Sequence, residues 1–330
     1  MTLRQWLLIL LLSAIWGASF LFLRIAVPQA GVLLTTAARL GFASLLLGLV
    51  AWYFGHLRGW PLKRKMAILA LVNSAIPFGL FSFAAQHLPA GYLAVLNASA
   101  PTQGLLIGVL LYKAPHHWKM WGGVVLGFAG VAFLTSMGPV EMGPMQWLGV
   151  MAGLGAAFCY AVTAYWTVNW FNDMPSEKLA FQNQFMAFLW LVPALIAVPL
   201  PEIKDVGRIW MALLVAGILC TGVAYLLYFR ILQEVGPIPS SSVGFLIPCF
   251  AMLWSFLFLN ESINVAHLVG LGCIILAVKW IRPVKKVIDL ANHRTQNASA
   301  RYLKMRSALG YDGCTTRLEG FYVLDHFLPG

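Results

Sequence analysis

The sequence predicts an all-α integral membrane protein: ten transmembrane helices arranged as two inverted five-helix repeats. Three observations carry that expectation. The chain is 60% hydrophobic and 10% charged, with a mean hydropathy of +0.80, whereas about a quarter of the residues of a soluble globular chain are charged. Its basic residues fall mainly into alternate connections between apolar runs. Two prolines, Pro101 and Pro248, stand 147 residues apart inside such runs, at matching places.

A helix that crosses a bilayer needs about 20 mostly apolar residues. Segments meeting that length are 3–23, 33–54, 66–87, 90–112, 118–137, 147–170, 180–200, 208–232, 238–259 and 263–281. They are too long and too evenly apolar for amphipathic core helices, and they lack the alternation of barrel strands. The first could pass for a signal peptide, with Arg4 before an apolar run. Its length, Trp16 in its middle and its place in the first repeat read instead as a retained span. Ten spans put Arg4, Arg58, Lys63, Arg64, Lys65, Lys113, Lys119, Lys178, Arg230 and the C-terminal segment on one side. The other side receives Lys204 and Arg208, with Arg24 and Arg39 near its edge. By the positive-inside rule both termini are expected in the cytoplasm, across the plasma membrane of a bacterium, its inner membrane. The net charge of +11 is thereby a matter of topology and points to no nucleic acid.

Sliding the chain by 147 residues brings Leu80 onto Leu227, Gln86 onto Gln233, Leu106 onto Leu253, Leu110 onto Leu257 and Gly123 onto Gly270, besides the two prolines. Ser74/Thr221, Phe78/Tyr225 and Phe81/Tyr228 are in register as well, and a shift of 144 pairs Trp16 with Tyr160 and Ser19 with Thr163. Five spans per unit is an odd number, so the second unit enters from the opposite side. Inverted repeats of this kind place a transport site between them near the bilayer midplane. The expected division is 1–138, 144–282 and a basic cytoplasmic tail, 283–330, expected to anchor on anionic lipid at its start and to be disordered beyond.

The stretches FSFAAQHLPAGYLAVLNASAPTQGLLIGVLLYKA and LYFRILQEVGPIPSSSVGFLIPCFAMLWSFLFLNE resemble the two EamA-type repeats of the drug/metabolite transporter superfamily. AIWG at 14–17 and Arg39 in AARLGF resemble the openings of that family's first and second helices. The glutamate that closes each repeat in the family is present as Glu261 and replaced by Ala114 in the first half. The resemblance covers roughly residues 5–282 and implies a transporter of small metabolites, often an amino acid exporter. Its partners are then a small-molecule solute and the lipid bilayer, the protein acting as monomer or homodimer.

Proline removes a backbone donor and frees the carbonyl one turn earlier, a defect tolerated in lipid where it faces protein or a water-filled cavity. Pro101 and Pro248 are therefore candidate hinges beside a path, with packing kinks as the plainer alternative. Substrate-cavity candidates are Trp16 and Ser19, three apart and so on one helix face, with Tyr160 and Thr163 at the equivalent places. To these are added Phe78 and Tyr225, in an aromatic set with Phe81 and Tyr228, and the polar Asn73, Asn97 and Ser241. Interface anchoring, packing and helix capping are the respective structural alternatives. Arg39 is the charged residue within a span that most invites a functional role, an anion site or a staple between helices, with snorkelling as the counter-reading. Glu261 reads first as a cap for the tenth helix and second as a gate or coupling acid.

No phosphate loop GxxxxGK[ST] and no HExxH is present, so neither an ATPase motif nor a metal or other cofactor is expected in the chain. Cys159, Cys220, Cys249 and Cys273 fall in spans and Cys314 in the tail, with no CxxC. The first span carries no acid at its middle, where small multidrug relatives of the resembled superfamily have a glutamate. The alternatives to a metabolite exporter are a proton-driven drug or cation exporter, a membrane enzyme acting on lipid, and a non-transporting assembly subunit. For the enzyme the chain offers no nucleophile, base and acid set.

Overall fold

The computed structural model describes residues 3–57, 64–111, 118–137, 140–171, 174–235, 242–260 and 265–281. Ser241, Glu261 and the tail 283–330 lie outside them. Backbone groups in hydrocarbon must be satisfied within their own segment, which favours helix wherever the sequence is long and apolar. Every element among the described residues is accordingly helical. Leu3–Tyr53 comprises two helices, α1 and α2, that meet at Gly31 (φ 66°, ψ 176°). Unbroken, its 51 residues would extend about 77 Å, more than twice the hydrocarbon thickness of about 30 Å. Glycine is the residue that adopts that positive φ without strain. There follow α3 (Arg64–His87), α4 (Ala90–Leu110), α5 (Trp118–Met137), α6 (Pro144–Phe171) and α7 (Ser176–Ala197). The last three are α8, running from Val206 to Val235, α9 (Ser242–Leu259) and α10 (Val265–Ile281). Six helical stretches among the described residues are long and apolar enough to cross a membrane: Leu3–Tyr53, Arg64–His87, Ala90–Leu110, Pro144–Thr167, Ser176–Ala197 and Val206–Ile231.

The exterior is apolar, and polar side chains are gathered inside among an apolar core. Leu45, Leu49, Met151, Ile196 and Phe256 are exposed, while Ser13, Arg39, Asn183, Gln184 and Thr221 are buried. Trp52, Trp118, Trp147 and Trp280 stand exposed near helix ends, the placement by which indole rings mark the two membrane interfaces.

Two helices change pitch. Leu71–Ala75 in α3 and Ile218–Val223 in α8 are π-helical, and they begin 147 residues apart. In the first, the Ile76 amide reaches back five residues to Leu71 O. In the second, Thr221 Oγ1 donates to Ala216 O, also five residues back, at 2.9 Å. Such turns are rare and gather at functional sites.

The matched prolines differ locally. Pro101 stands in the first turn of Ala100–Leu110, after the helix is interrupted at Ala98–Ser99, where its missing donor is not required. Pro248 lies inside Ser242–Leu259, which continues through it.

Close helix crossings are made by glycine. A Cβ on Gly17 of α1 would lie 2.7 Å from Phe250 Cβ and 2.9 Å from Ala251 N of α9. At the equivalent crossing of α4 with α6, a Cβ on Gly104 would lie an ordinary 3.9 Å from that of Ala161. Gly17→Ala is expected to cost about 1–3 kcal/mol by overpacking. Gly104→Ala should leave the melting temperature in detergent unchanged or raised, since alanine is favoured in helix interiors by about 1 kcal/mol. Equal responses of the two variants would contradict the asymmetry of the crossings.

Candidate functional site

The residues at the centre come from α1, α2, α3, α6, α7 and α8. On α1, Ser19 lies one turn beyond Trp16, and its hydroxyl donates to Trp16 O at 2.7 Å. On α6, Thr163 Oγ1 lies 2.7 Å from Cys159 O and 3.0 Å from Asn73 Oδ1 of α3, one hydroxyl proton serving two acceptors. With both hydroxyls turned back on their own helices, the aromatic members of each pair face the interior. The Trp16 ring lies 5.2 Å from Tyr228 and 6.2 Å from Tyr225. Tyr160 stacks on Phe81 at 6.2 Å, and Phe78 meets Tyr225 edge-on at 6.4 Å. All of these fall within the range of attractive ring pairs.

Arg39 of α2 sits among these rings and is 6% exposed. Its Nε donates to Thr221 Oγ1, in the π turn of α8, at 2.7 Å. Its guanidinium carbon lies 4.2 Å from the centre of the Phe78 ring, within cation–π range. Its terminal nitrogens complete no hydrogen bond, and it makes no ion pair, among the described residues. From α7, Asn183 Nδ2 donates to Ser74 Oγ in the π turn of α3 at 2.9 Å. The Tyr225 hydroxyl lies beside Ser74 and Gln184, yet neither polar atom of the buried Gln184 amide completes a hydrogen bond, nor does Asn183 Oδ1.

These contacts occur in corresponding pairs. Arg39 and Asn183 are 144 residues apart, and Ser74 and Thr221 are 147 apart, so the Arg39–Thr221 and Asn183–Ser74 contacts join residues at matching offsets. Trp16–Tyr228 and Tyr160–Phe81 correspond in the same way, and Phe78–Tyr225 joins a residue to its own equivalent.

Of the residues singled out in the sequence, Trp16, Phe78, Tyr160, Tyr225 and Arg39 come together here, with Asn73 and Thr163 adjoining them. Ser19 is buried and satisfied by its own helix. Asn97 ends Ala90–Asn97 and is half-buried there. Pro101 packs toward Gly244 of α9. Ser241 and Glu261 lie outside the described residues. Asn183 and Gln184 went unnoticed in the sequence. The signal for Asn183 was its offset from Arg39, the same as that of Tyr160 from Trp16. Among the described residues no group of three or more His, Cys, Asp or Glu is placed to hold a metal.

The EamA-like transporter family model matches residues 4–136 and 147–282. Protein PecM of Dickeya dadantii is 26% identical over 281 residues, covering 82% of this chain and 89% of its own. Transporter YvbV of Bacillus subtilis is 26% identical over 289 residues, covering 86% and 93%. Inner membrane transporter YedA of Escherichia coli K12 is 23% identical over 301 residues, covering 84% and 92%. A solved crystal structure shares the fold with a TM-score of 0.63 at 16% identity, over 85% of this chain and 96% of that one. The chain belongs to the EamA-like transporter family and is a multi-pass membrane transporter.

Proposed function

We infer that the protein exports small metabolites, amino acids or related solutes foremost, by alternating access across the bacterial inner membrane. In this reading it crosses the membrane ten times with both termini in the cytoplasm, as two inverted repeats, 1–138 and 144–282. The observation that carries the reading is the paired set of contacts at the centre: each clasp between α2 and α8 has a counterpart between α7 and α3. Two units that grip each other through equivalent contacts have two equivalent ways of rocking, one opening the centre inward and the other outward. The aromatic rings form the plates that part. The central groups carry no carboxylate among the described residues, which favours facilitated movement over proton coupling. Pro101 and Pro248 are the hinges of this scheme.

Reconstituted into liposomes, the protein is expected to show saturable counterflow of labelled amino acids with no imposed gradient. Flux seen only with a proton gradient would replace the facilitator by a proton-driven exporter and turn attention to Glu261. No flux of any metabolite from correctly folded protein would favour an assembly subunit. Trp16→Ala removes the plate that meets both Tyr225 and Tyr228 and is expected to lower counterflow about tenfold, the equivalent of about 1.4 kcal/mol.

A further inference from the structure

Arg39 is a buried cation that is held but not neutralised. A guanidinium has five N–H donors. In this site one is engaged, by a neutral hydroxyl, and the plane rests on a phenyl ring. Taking a charge out of water is costly unless an opposite charge and a full set of hydrogen bonds replace the solvent. Among the described residues Arg39 has neither. Helix stapling alone needs no charge, since the equivalent clasp is made by the neutral Asn183. The surroundings are also unfinished in the sense a ligand would complete. The Gln184 amide, buried and bonded to nothing, lies beside Tyr225, whose ring meets both Phe78 and Trp16.

We propose that Arg39 binds the carboxylate of the transported solute through its two terminal nitrogens, the solute's apolar body lying against Trp16 and Tyr228. This deepens the transport reading and rests on it. A carboxylate matches the planar fork of two parallel N–H groups. Its single negative charge balances the single cation, where a phosphate ester would leave charge over. The Thr221 bond to Nε fixes the fork's direction, and the Phe78 ring closes one of its faces. A solute with an amine and no acid would bring a second positive charge beside Arg39 and is excluded.

The test is binding by purified full-length protein in detergent, in low-chloride buffer, read as a saturable shift in thermal stability and in tryptophan fluorescence. The probes are 3-phenylpropionate, L-phenylalanine and phenethylamine, which share a ring on a two-carbon chain, together with hexanoate. The carboxylates are expected to give the shift and phenethylamine none. Arg39→Gln should weaken 3-phenylpropionate binding at least tenfold, with Arg39→Lys recovering part of it. If Arg39→Gln does not yield monodisperse protein, the comparison of acid and amine on the wild type and on Arg39→Lys decides. Phenethylamine binding as tightly as 3-phenylpropionate, unchanged binding in Arg39→Gln, or silence toward every carboxylate would each overturn the assignment. Carboxylate binding without counterflow of any solute would refute the transport reading and leave the site. Counterflow of solutes that is indifferent to carboxylates would do the reverse.

Discussion

Thr221→Val is expected to cost the folded protein about 2–3 kcal/mol, against about 1 kcal/mol for the equivalent change Ser74→Ala. The two positions correspond, and each accepts a hydrogen bond from the opposite half of the molecule. Their donors differ. Thr221 accepts from the Arg39 guanidinium at 2.7 Å, and Ser74 accepts from the Asn183 amide at 2.9 Å. Bonds to charged groups contribute roughly 1.5–3 kcal/mol and neutral ones about 1 kcal/mol. Valine keeps the shape of threonine, so no cavity adds to the loss. It also removes the bond from Thr221 Oγ1 to Ala216 O that stitches the π turn. Thermal melts in one detergent check the ranking, and a cycle pairing Thr221→Val with Arg39→Met isolates the coupling. An interaction term near zero would mean that Arg39 does not depend on Thr221.

Much of this arrangement could be read from the chain. Long apolar runs admit one structure in lipid, and the helices lie close to where those runs predict them. The connection expected between the first two spans is instead helix up to Gly31, because its residues, Arg24 to Ala30, include nothing that demands an earlier stop except Pro28, which the helix carries. The aromatic centre was legible because its members recur at fixed offsets. The π turns were not: a five-residue reach leaves no mark in composition and depends on what Thr221 and Ser74 meet in space. The prolines show the limit of a sequence match. Around Pro101, Ser99 Oγ donates to Leu96 O at 2.6 Å and Gln103 Nε2 donates to Ser99 Oγ at 3.0 Å, so the interrupted helix finds side-chain partners. The corresponding residues around Pro248 are Leu246 and Phe250, which offer none, and the helix runs on.

Gly217→Val is expected to leave no monodisperse protein, and Gly217→Ala to lower stability by about 3 kcal/mol, the upper end of overpacking costs. A Cβ on Gly217 would stand 2.6 Å from Phe42 Cβ and 2.9 Å from Arg39 O. Neither neighbour is the mobile end of a side chain: both are fixed by the backbone of α2, which must move bodily to make room. Gly217 also abuts the π turn that begins at Ile218. Displacing α2 therefore lengthens the Arg39–Thr221 bond and lifts the guanidinium from the Phe78 ring in one step. Packing and site geometry are thus coupled at this residue, and the stability lost in Gly217→Ala should be accompanied by a weaker response to 3-phenylpropionate. Gly207→Ala, where a Cβ meets nothing within 4 Å, supplies the control and should change neither property. An alanine at 217 with wild-type melting would show that α2 and α8 stand further apart than this packing requires, and the Arg39 clasp, which depends on their approach, would fall with it.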